Sequence, residues 1–325
     1  MSDKPVIAAT IGDPCGIGPE VCVKALATGE VHELCRPLLI GSTEAVEDAV
    51  RFTGVNLGVR RVTEVNGAGS DPSVIDVYDT GELDPADITP AQANATCGKA
   101  SVTWLNQAHE MTERGLVNGT IMGPINTDAI GQAGLLDEVL SIEPGKTYLT
   151  LLTGPLRIVH LTDHIPLRQV CDVVSKDLVH SALRMIHESF SRWGVKDPRI
   201  VVAGLNAHAY GDEDKNEIAP GVEAARAEGI DVTGPSSPDS VFRWCIEGKY
   251  DVVLAMYHDQ GHIAVKTWRF EGNCALILGM PGIHASIAHG TAFDIVGKNL
   301  ASHEMMLEAM KQTASLGGGR GFLPV

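Results

Sequence analysis

The chain has 325 residues, of which 44% are hydrophobic and 20% are charged, a composition that suits two packed domains with a polar surface. Its formal net charge of −16 repels nucleic acid and anionic membranes, so an anionic ligand would need local cations. The seven cysteines form no Cys-x-x-Cys pair, and the chain has neither a membrane-spanning apolar run nor a signal-peptide pattern, which together predict a cytoplasmic protein with reduced thiols.

Short apolar and β-branched segments alternate along the chain with helical patterns. Several of these segments are apolar throughout, which is typical of strands covered on both faces. The pattern predicts an α/β fold with mostly parallel sheets. The predicted strands are Val6–Ile11, Leu38–Ile40, Gly119–Met122, Leu156–Val159, Arg199–Leu205, Asp251–Met256 and Ala275–Leu278.

Two segments between these strands have the features of helices. Apolar residues recur on one face of Lys176–Trp193. Glu217–Glu228 has Pro220 near its start and Gly229 directly after its end, where helices tolerate these residues best.

Two other segments are rich in residues that interrupt regular structure. Asn66–Gln92 contains many Asp, Pro, Gly and Thr residues, and we expect a surface excursion or a hairpin there. Residues 317–321 are mostly glycine and predict a mobile tail. A phosphate-binding loop is a weaker interpretation of the tail, because no predicted strand precedes it.

Three histidines follow predicted strands near the point where each strand ends. His164, His208 and His258 come after the fourth, fifth and sixth predicted strands. Ligands of open α/β sheets bind outside the carboxyl ends of strands, so the three imidazoles could converge on one divalent cation and leave positions open for substrate. Taken alone, each histidine is better explained by a loop cap or a core hydrogen bond, and it is the equivalent positions of all three that favour the metal site. Asp239 and Asp259 are nearby candidates for orienting a ligand or binding substrate oxygens.

A glycine-rich turn, Gly12–Glu20, connects the first strand to a helix. It is not a dinucleotide fingerprint, because Val21 stands where the third glycine should be, and it is either a tight turn or a loop lining a cleft. Late in the chain, small residues flank polar ones in a pattern that suits contact with the adenosine of a cofactor. The residues of this second segment are His289, Gly290, Thr291, Ala292 and Asp294.

Lys146, Thr147 and Lys266 supply the cations and the donor that an anionic ligand would need, although single lysines are usually solvated. Gly145-Lys146-Thr147 is not a P-loop, because Leu140 stands where that motif requires a glycine. The absence of a Gly-x-Ser-x-Gly motif argues against covalent serine catalysis.

Four motifs around the glycine-rich turn, the histidines and the late polar segment described above resemble those of the 4-hydroxythreonine-4-phosphate dehydrogenase family of pyridoxine biosynthesis. The resemblance runs from about Ile7 to Leu316, nearly the whole chain. Some relatives in this family act on phosphorylated threonate or erythronate, and others act on carboxylated cis-dihydrodiols in terephthalate breakdown. The motifs are Gly12-Asp13-Pro14-x-Gly16-Ile17-Gly18-Pro19-Glu20, Asn206-x-His208-Ala209, Met256-Tyr257-His258-Asp259-Gln260-Gly261-His262 and His289-Gly290-Thr291-Ala292.

The resemblance implies a fold like that of isocitrate and isopropylmalate dehydrogenases, with a cleft between two α/β domains. We expect residues 1–125 and 285–325 to form the first domain with the cofactor loop. Residues 126–284 would form the second domain, with the metal ligands and the dimer interface. The resemblance further implies a homodimer with a shared active site, in which His164, His208 and His258 bind zinc, cobalt, manganese or magnesium.

The implied reaction is the oxidation of a secondary alcohol by NAD or NADP, followed by loss of carbon dioxide from the resulting 3-keto acid. The metal would lower the pKa of the alcohol and stabilise the enolate, and the nicotinamide would take the hydride. Lys266 and Asp259 are the candidate catalytic residues, and the stretch His289–Lys298 is the candidate cofactor-adenosine loop.

The residues that would bind the substrate phosphate depart from the family pattern. Lys146-Thr147 replaces a His-Thr pair and Lys266 is kept, whereas Ala275 and His284 replace an Asn and an Arg. A family Lys is also missing around Asn126-Thr127-Asp128. Charge-assisted hydrogen bonds contribute on the order of 1.5–3 kcal/mol each, so these losses predict a changed substrate. The substrate is then either a phosphorylated hydroxy acid or a non-phosphorylated carboxylated one such as terephthalate cis-dihydrodiol. The candidate substrate-binding residues are Lys146, Thr147, Asp239, Lys266 and His284.

Three other functions remain open on the sequence. A metal-dependent hydrolase could use the same histidines without a nicotinamide. An acyltransferase could share the general fold but would not need the three histidines. A non-catalytic metabolite-binding relative is the third, and the complete histidine set argues against it.

Overall fold

A computed structural model describes residues 4–136, 145–269 and 272–323. The chain divides into two compact units. Among the described residues, the first unit holds 4–136 and 281–318, and the second holds 145–269, 272–280 and 319–323.

The first unit is built on parallel strands in the order β3-β4-β2-β1-β5-β12. The central strand β1 is buried at every position, as its apolar sequence predicts. The strands are β1 (Val6–Thr10), β2 (Arg36–Ile40), β3 (Gly58–Val62), β4 (Val74–Tyr78), β5 (Gly119–Met122) and β12 (His284–Ile287). The helices are α1 (Gly18–Ala27), α2 (Glu30–Leu34), α3 (Thr43–Thr53), α4 (Ala95–Glu113), α5 (Thr127–Gln132) and α11 (Glu304–Gly317).

The second unit has strands in the order β11-β6-β7-β10-β8-β9. Four of them, β7, β10, β8 and β9, run parallel, and β6 is antiparallel to both of its neighbours. The strands are β6 (Tyr148–Thr153), β7 (Leu156–His160), β8 (Ile200–Ala203), β9 (Val232–Ser236), β10 (Val252–Ala255) and β11 (Cys274–Leu278). The helices are α6 (Leu167–Val173), α7 (Lys176–Arg192), α8 (Ala219–Ala227), α9 (Val241–Ile246) and α10 (His258–Trp268).

The predicted α/β class and all seven predicted strands are confirmed, with ends that differ by at most two residues. Both predicted helices are present as α7 and α8. A π-helical turn, Asp214–Ile218, leads into α8, which therefore begins two residues later than predicted.

Two predictions about irregular segments need correction. Asn66–Gln92 is largely exposed on both sides of β4, as a surface excursion would be, but β4 pairs in parallel with β2 and β3 and therefore belongs to the sheet rather than to a hairpin. The predicted mobile tail is bound to the second unit. There the amide of Gly321 donates to the carbonyl of Trp193 over 2.9 Å, and the ring of Phe322 packs against Phe190 at a centroid distance of 5.0 Å. None of the helices in the described ranges combines the length and the apolar character that a bilayer span needs.

Candidate metal centre and cofactor loop

The three histidines follow three neighbouring parallel strands of the second unit. β10 lies between β7 and β8, with Val253 paired to Ile158 and to Val201. The carboxyl ends of these strands therefore meet at one edge of the sheet, which is the arrangement that a shared site for the three histidines would need. His164 follows β7, His208 follows β8, and His258 is the first residue of α10 directly after β10.

Hydrogen bonds lock these strand ends together. The hydroxyl of Thr162 donates to the carbonyl of Met256 over 2.8 Å, which joins the segments after β7 and β10. Gln260 accepts from the amide of Met256 over 2.7 Å and donates to the carbonyl of Gly204 over 2.8 Å, which joins the segments after β10 and β8. These hydrogen bonds thus fix the segments that carry the three histidines relative to one another.

His164 and His258 lie together with Asp163, a residue that the sequence did not indicate. One potential ligand atom from each of the three lies within 4.8 Å of the others, and the two imidazole centroids are 4.8 Å apart. Both carboxylate oxygens of Asp163 are buried without a hydrogen bond among the described residues, and Oδ1 lies 3.1 Å from Nδ1 of His164, within ion-pair distance. Two imidazoles and an unsatisfied carboxylate fit a divalent cation of the zinc, cobalt or manganese type. In the sequence, the one indication that Asp163 could be a ligand is its position directly before His164.

His208 lies outside that cluster of ligand atoms within 4.8 Å and is positioned by its own network. Its Nδ1 is 3.2 Å from the hydroxyl of Ser237, which donates to Asp239 over 2.7 Å. With Nδ1 donating, the tautomer leaves Nε2 as a free acceptor, which is how an outer carboxylate commonly prepares a histidine ligand. Asp239 thus acts on His208 through Ser237, and its hydrogen bonds to Ser237 and Ser240 hold its pKa below the usual range.

The loop that carries His208 is shaped by Asp214, which the sequence also did not single out. Its carboxylate is fully buried and accepts hydrogen bonds from the amides of Leu205, Asn206 and Gly211 over 2.7–3.2 Å. These bonds hold a tight turn in which His208 has a φ of 56°. Few non-glycine residues adopt this left-handed conformation, so the turn depends on the buried carboxylate.

Behind the cluster, imidazoles are stacked into the core. The ring of His262 lies 3.6 Å from that of His258, and the ring of His160 lies 4.8 Å from that of His262. Burial lowers the pKa of His160 to about 3 and that of His262 to about 4. Both rings are therefore neutral at physiological pH and place no positive charge beside a cation. A Cβ on Gly261 would lie 2.3 Å from Nε2 of His160, so this helix position requires glycine.

Both candidate catalytic residues lie on α10. The exposed carboxylate of Asp259 accepts from Nδ1 of His258 over 2.7 Å, and this hydrogen bond, with a further contribution from the charge of Lys266, lowers the pKa of Asp259. Lys266 also acts on the pKa of His262, so its ammonium lies within electrostatic range of the cluster. Lys146 and Thr147 directly precede β6, whose antiparallel pairing with β7 (Thr150 with Val159) puts its start at the same edge of the sheet as the end of β7.

His284 and Ala275 do not offer a ligand the donors that they replace. Nδ1 of His284 lies 2.8 Å from the hydroxyl of Thr120, and Nε2 lies 2.7 Å from the carbonyl of Pro281. Both ring nitrogens are thus engaged within the first unit, and burial lowers the pKa of His284. Ala275 is a buried core residue on β11.

In the first unit, the two glycine-containing motifs are in contact. The amide of Ile17 donates to the carbonyl of Thr291 over 3.1 Å, and a Cβ on Gly16 would lie 2.7 Å from Cβ of Thr291. Asn126 donates to the Thr291 hydroxyl over 3.2 Å. The loop from Gly12 to Glu20 therefore supports the loop that begins at His289.

The supported loop has features that suit a nucleotide. A Cβ on Gly290 would meet nothing within 4 Å, so its backbone is open to a ligand. Nε2 of His289 is buried without a hydrogen-bond partner among the described residues, and Ala292 has a φ of 41°. Asp294 is exposed, and its carbonyl accepts from Lys298 over 2.7 Å.

The family model described as pyridoxal phosphate biosynthetic protein PdxA matches residues 33–313. The chain belongs to the PdxA family. A Novosphingobium aromaticivorans protein provisionally named 4-hydroxythreonine-4-phosphate dehydrogenase is 54% identical over 98% of this chain and 97% of its own length. A Clostridium botulinum protein provisionally named D-threonate 4-phosphate dehydrogenase is 36% identical over 95% of this chain and 96% of its own length.

Solved structures agree with this assignment to the PdxA family. A 4-hydroxythreonine-4-phosphate dehydrogenase from Burkholderia phymatum has a TM-score of 0.86 and 33% identity, and the match covers 96% of this chain and 98% of that one. A terephthalate 1,2-cis-dihydrodiol dehydrogenase from Burkholderia xenovorans LB400 has a TM-score of 0.69 and 29% identity, with the same coverage of both chains. The expected family and fold class are confirmed, and this PdxA-family chain is a dehydrogenase that acts on a hydroxyl group.

Proposed function

We propose that this dehydrogenase oxidises a hydroxy acid with NAD or NADP in a metal-dependent reaction and that decarboxylation follows. The observation that carries the proposal is the grouping of Asp163, His164 and His258 at the edge formed by three neighbouring strand ends. A bound cation there would supply Lewis-acid polarisation of the substrate oxygens, and a bound nicotinamide would supply the hydride acceptor.

His164, His208 and His258 are the proposed metal ligands, with Asp163 as a further one. In this arrangement Asp259 fixes the tautomer of His258 through the 2.7 Å bond to Nδ1, and Ser237 does the same for His208. Because Nδ1 of each ring is engaged in this way, Nε2 is the nitrogen left to bind the cation. The neutral rings of His160 and His262 exclude water from the inner side of the cluster.

Lys266 is the residue we assign to proton transfer and to contact with the anionic substrate. It is exposed on α10, the same helix that begins with His258, and its charge reaches Asp259. An ammonium at this position stabilises the negative charge that develops on substrate oxygens and can return a proton to carbon after carbon dioxide leaves. The open backbone at Gly290, together with His289, Thr291, Ala292 and Asp294, would hold the adenosine of the cofactor.

The residues that bind the anionic group of the substrate determine which substrate the enzyme accepts. Ala275 cannot donate, and both ring nitrogens of His284 are engaged, so Lys146, Thr147 and Lys266 are the remaining donors that we propose for it. A 4-hydroxythreonine-4-phosphate-like substrate is our first choice, because relatives with that name are similar over nearly the whole chain. A carboxylated, non-phosphorylated substrate such as a terephthalate cis-dihydrodiol is the alternative, because it makes less use of the lost donors.

We also propose a cytoplasmic homodimer with a shared active site. Large apolar side chains are exposed on the second unit, and two of them, Ile263 at 65% and Trp268 at 47%, lie on the helix of His258. Exposed apolar residues that flank a site are typical of a subunit interface. Covering them with a partner would bring the partner's site residues close to α10.

Steady-state kinetics with each candidate substrate tests the reaction and the substrate together. Formation of NADH or NADPH with release of carbon dioxide is expected for at least one of the two substrate classes, and chelation should abolish it. Failure of both nucleotides to bind in calorimetry would instead favour a metal-dependent hydrolase. For the shared site, mixing inactive His208→Ala and His258→Ala dimers should restore activity if His208 and the cluster of Asp163, His164 and His258 come from different subunits, and should restore none if they come from one.

A further inference from the structure

The first unit contains a second group of potential metal ligands, formed by Asp13, Cys15 and Cys97. One ligand atom from each lies within 4.8 Å of the others, and the two sulfur atoms are 3.4 Å apart. All three residues have an exposed fraction of 0%. Cys15 lies in the glycine-rich turn after β1 and Cys97 in the first turn of α4, so the group joins two elements that are distant in sequence.

The carboxylate of Asp13 is held in one orientation and is incompletely satisfied. Its Oδ1 accepts from the amide of Cys15 over 2.9 Å, whereas its Oδ2 is buried without a hydrogen-bond partner among the described residues. An ionised Oδ2 needs a donor or a cation, and a protonated one needs an acceptor. A cation in the group would satisfy the ionised carboxylate directly, and its binding would displace the proton of the protonated form.

We propose that Asp13, Cys15 and Cys97 bind a thiophilic divalent cation of the zinc class. Two thiolates and a carboxylate are a donor set that zinc accepts, and the cation would offset the charge of three buried anions. Binding releases the protons of both thiols and of the carboxyl group to solvent. The amide nitrogen of Asn94, 3.6 Å from the sulfur of Cys15, can donate to that thiolate from outside the ligand set.

A fourth ligand is within reach on the chain. The carbonyl oxygen of Asp87 lies 3.7 Å from the sulfur of Cys97 and belongs to the short 3-10 turn before α4. Its participation would give the four-coordinate arrangement that structural zinc sites adopt. A closed site of this kind holds elements together and does not take part in the dehydrogenase reaction.

A disulfide explains the same residues less well. The sulfur atoms would have to approach from 3.4 Å to about 2.05 Å, and the neighbouring carboxylate opposes formation of the attacking thiolate. A disulfide would also leave Oδ2 of Asp13 unsatisfied. A cation accounts for the carboxylate and both thiols at once.

The site would stabilise the loop that supports the candidate cofactor loop. Cys15 directly precedes Gly16, and Gly16 packs against Thr291. A cation that ties Cys15 to α4 would therefore hold the supporting loop in place. This inference does not depend on the proposed reaction, because the cluster at His164 and His258 belongs to the other unit.

The test uses the full-length His258→Ala variant, in which the proposed histidine site is disabled, produced in medium with cobalt in place of zinc. Cobalt bound to thiolates gives a strong near-ultraviolet charge-transfer absorption that histidine and carboxylate ligands do not give. We expect this absorption, together with about one equivalent of cobalt per chain by elemental analysis. Adding Cys97→Ser should abolish both the absorption and the bound cobalt. Cys22→Ser, which changes another buried cysteine of the unit, should leave both unchanged.

If Cys97→Ser fails to fold, Asp13→Asn provides the second variant, because it preserves shape and both thiols. It should lower the cobalt content at least tenfold under competition with a chelator. Absence of the charge-transfer absorption from His258→Ala with both thiols reduced would overturn the proposal. So would a mass spectrum showing Cys15 and Cys97 joined as a disulfide in the protein purified without oxidant.

Discussion

The packing beneath the metal cluster predicts a large effect of the single substitution Gly261→Ala. The added Cβ would lie 2.3 Å from Nε2 of His160 and 2.8 Å from Cγ2 of Ile158, whereas ordinary contacts begin at 3.4 Å. His160 cannot easily move, because it is buried and its Nδ1 is bonded to the carbonyl of Leu149. Helix α10 must therefore shift by about an ångström, and His258 must move with it.

The magnitude follows from two opposing terms. Overpacking a core costs about 1–3 kcal/mol, and replacing glycine by alanine inside a helix returns up to about 1 kcal/mol. We expect a net loss of about 1–2 kcal/mol in the free energy of unfolding. A displacement of about 1 Å at a catalytic group lowers the rate roughly 100-fold, so we expect kcat to fall by about that factor.

Urea unfolding and steady-state kinetics measure the two effects of Gly261→Ala. Gly131→Ala is the matched control, because Gly131 lies in α5 and a Cβ there would meet nothing within 4 Å. That control should be neutral or slightly more stable, with unchanged kcat. Wild-type stability and kcat in Gly261→Ala would refute the packing argument.

Three further changes have defined outcomes. Gly16→Ala should raise KM for the dinucleotide about tenfold with little change in metal affinity, because its Cβ would lie 2.7 Å from Cβ of Thr291; initial rates against NAD or NADP measure this. Asp214→Asn should lower the free energy of urea unfolding by about 2–4 kcal/mol, because several buried bonds to a charged acceptor weaken. His160 has an ordinary pKa of 6.5 that burial lowers to about 3, so in the metal-free protein it should account for about 2 kcal/mol of the stability lost between about pH 7 and pH 5, beside a contribution of His262, whose pKa burial also lowers; urea unfolding of wild type and His160→Gln at both pH values measures it.

The sign of the pH effect follows from which state binds protons. Below about pH 6.5 the unfolded chain protonates His160 and the folded chain does not, so stability present above that pH is lost as the pH falls toward 3. His160→Gln should flatten this part of the profile, and an equally steep profile would show that other groups cause it.

Asp212→Asn, an exposed change in the same loop, is the control for Asp214→Asn, and equal losses in the two variants would contradict the assigned role of Asp214.

The strand pattern and the order of the histidines could be predicted because both are local in sequence. Apolar runs identify the strands, and a residue just after a strand must lie at the edge of the sheet. The ends of β7, β10 and β8 lie side by side because these strands are neighbours in the sheet. That order follows from tertiary strand pairing, which the local sequence does not reveal. The family resemblance supplied the assignment of the three histidines to one site.

The missed residues act through contacts that the local sequence does not reveal. Asp163 and Asp214 resemble any other loop carboxylates until the structure shows that both carboxylates are buried, that Asp163 accepts no hydrogen bond within the described ranges, and that Asp214 accepts several. The role of His284 depends on Thr120, 164 positions away in sequence. Cys15 and Cys97, 82 positions apart, meet only because the first strand and α4 pack together.

The most direct test of the central claim is the rate of NADH or NADPH formation from 4-hydroxythreonine 4-phosphate and from a terephthalate cis-dihydrodiol, with carbon dioxide measured in parallel. The protein should be assayed after chelation and again after restoring zinc, cobalt or manganese, beside His258→Ala. We expect stoichiometric nucleotide reduction and carbon dioxide release with one substrate class, lost on chelation, recovered with metal, and absent from His258→Ala. Equal rates in the chelated protein, or in His258→Ala, would contradict a metal-dependent dehydrogenase centred on this residue.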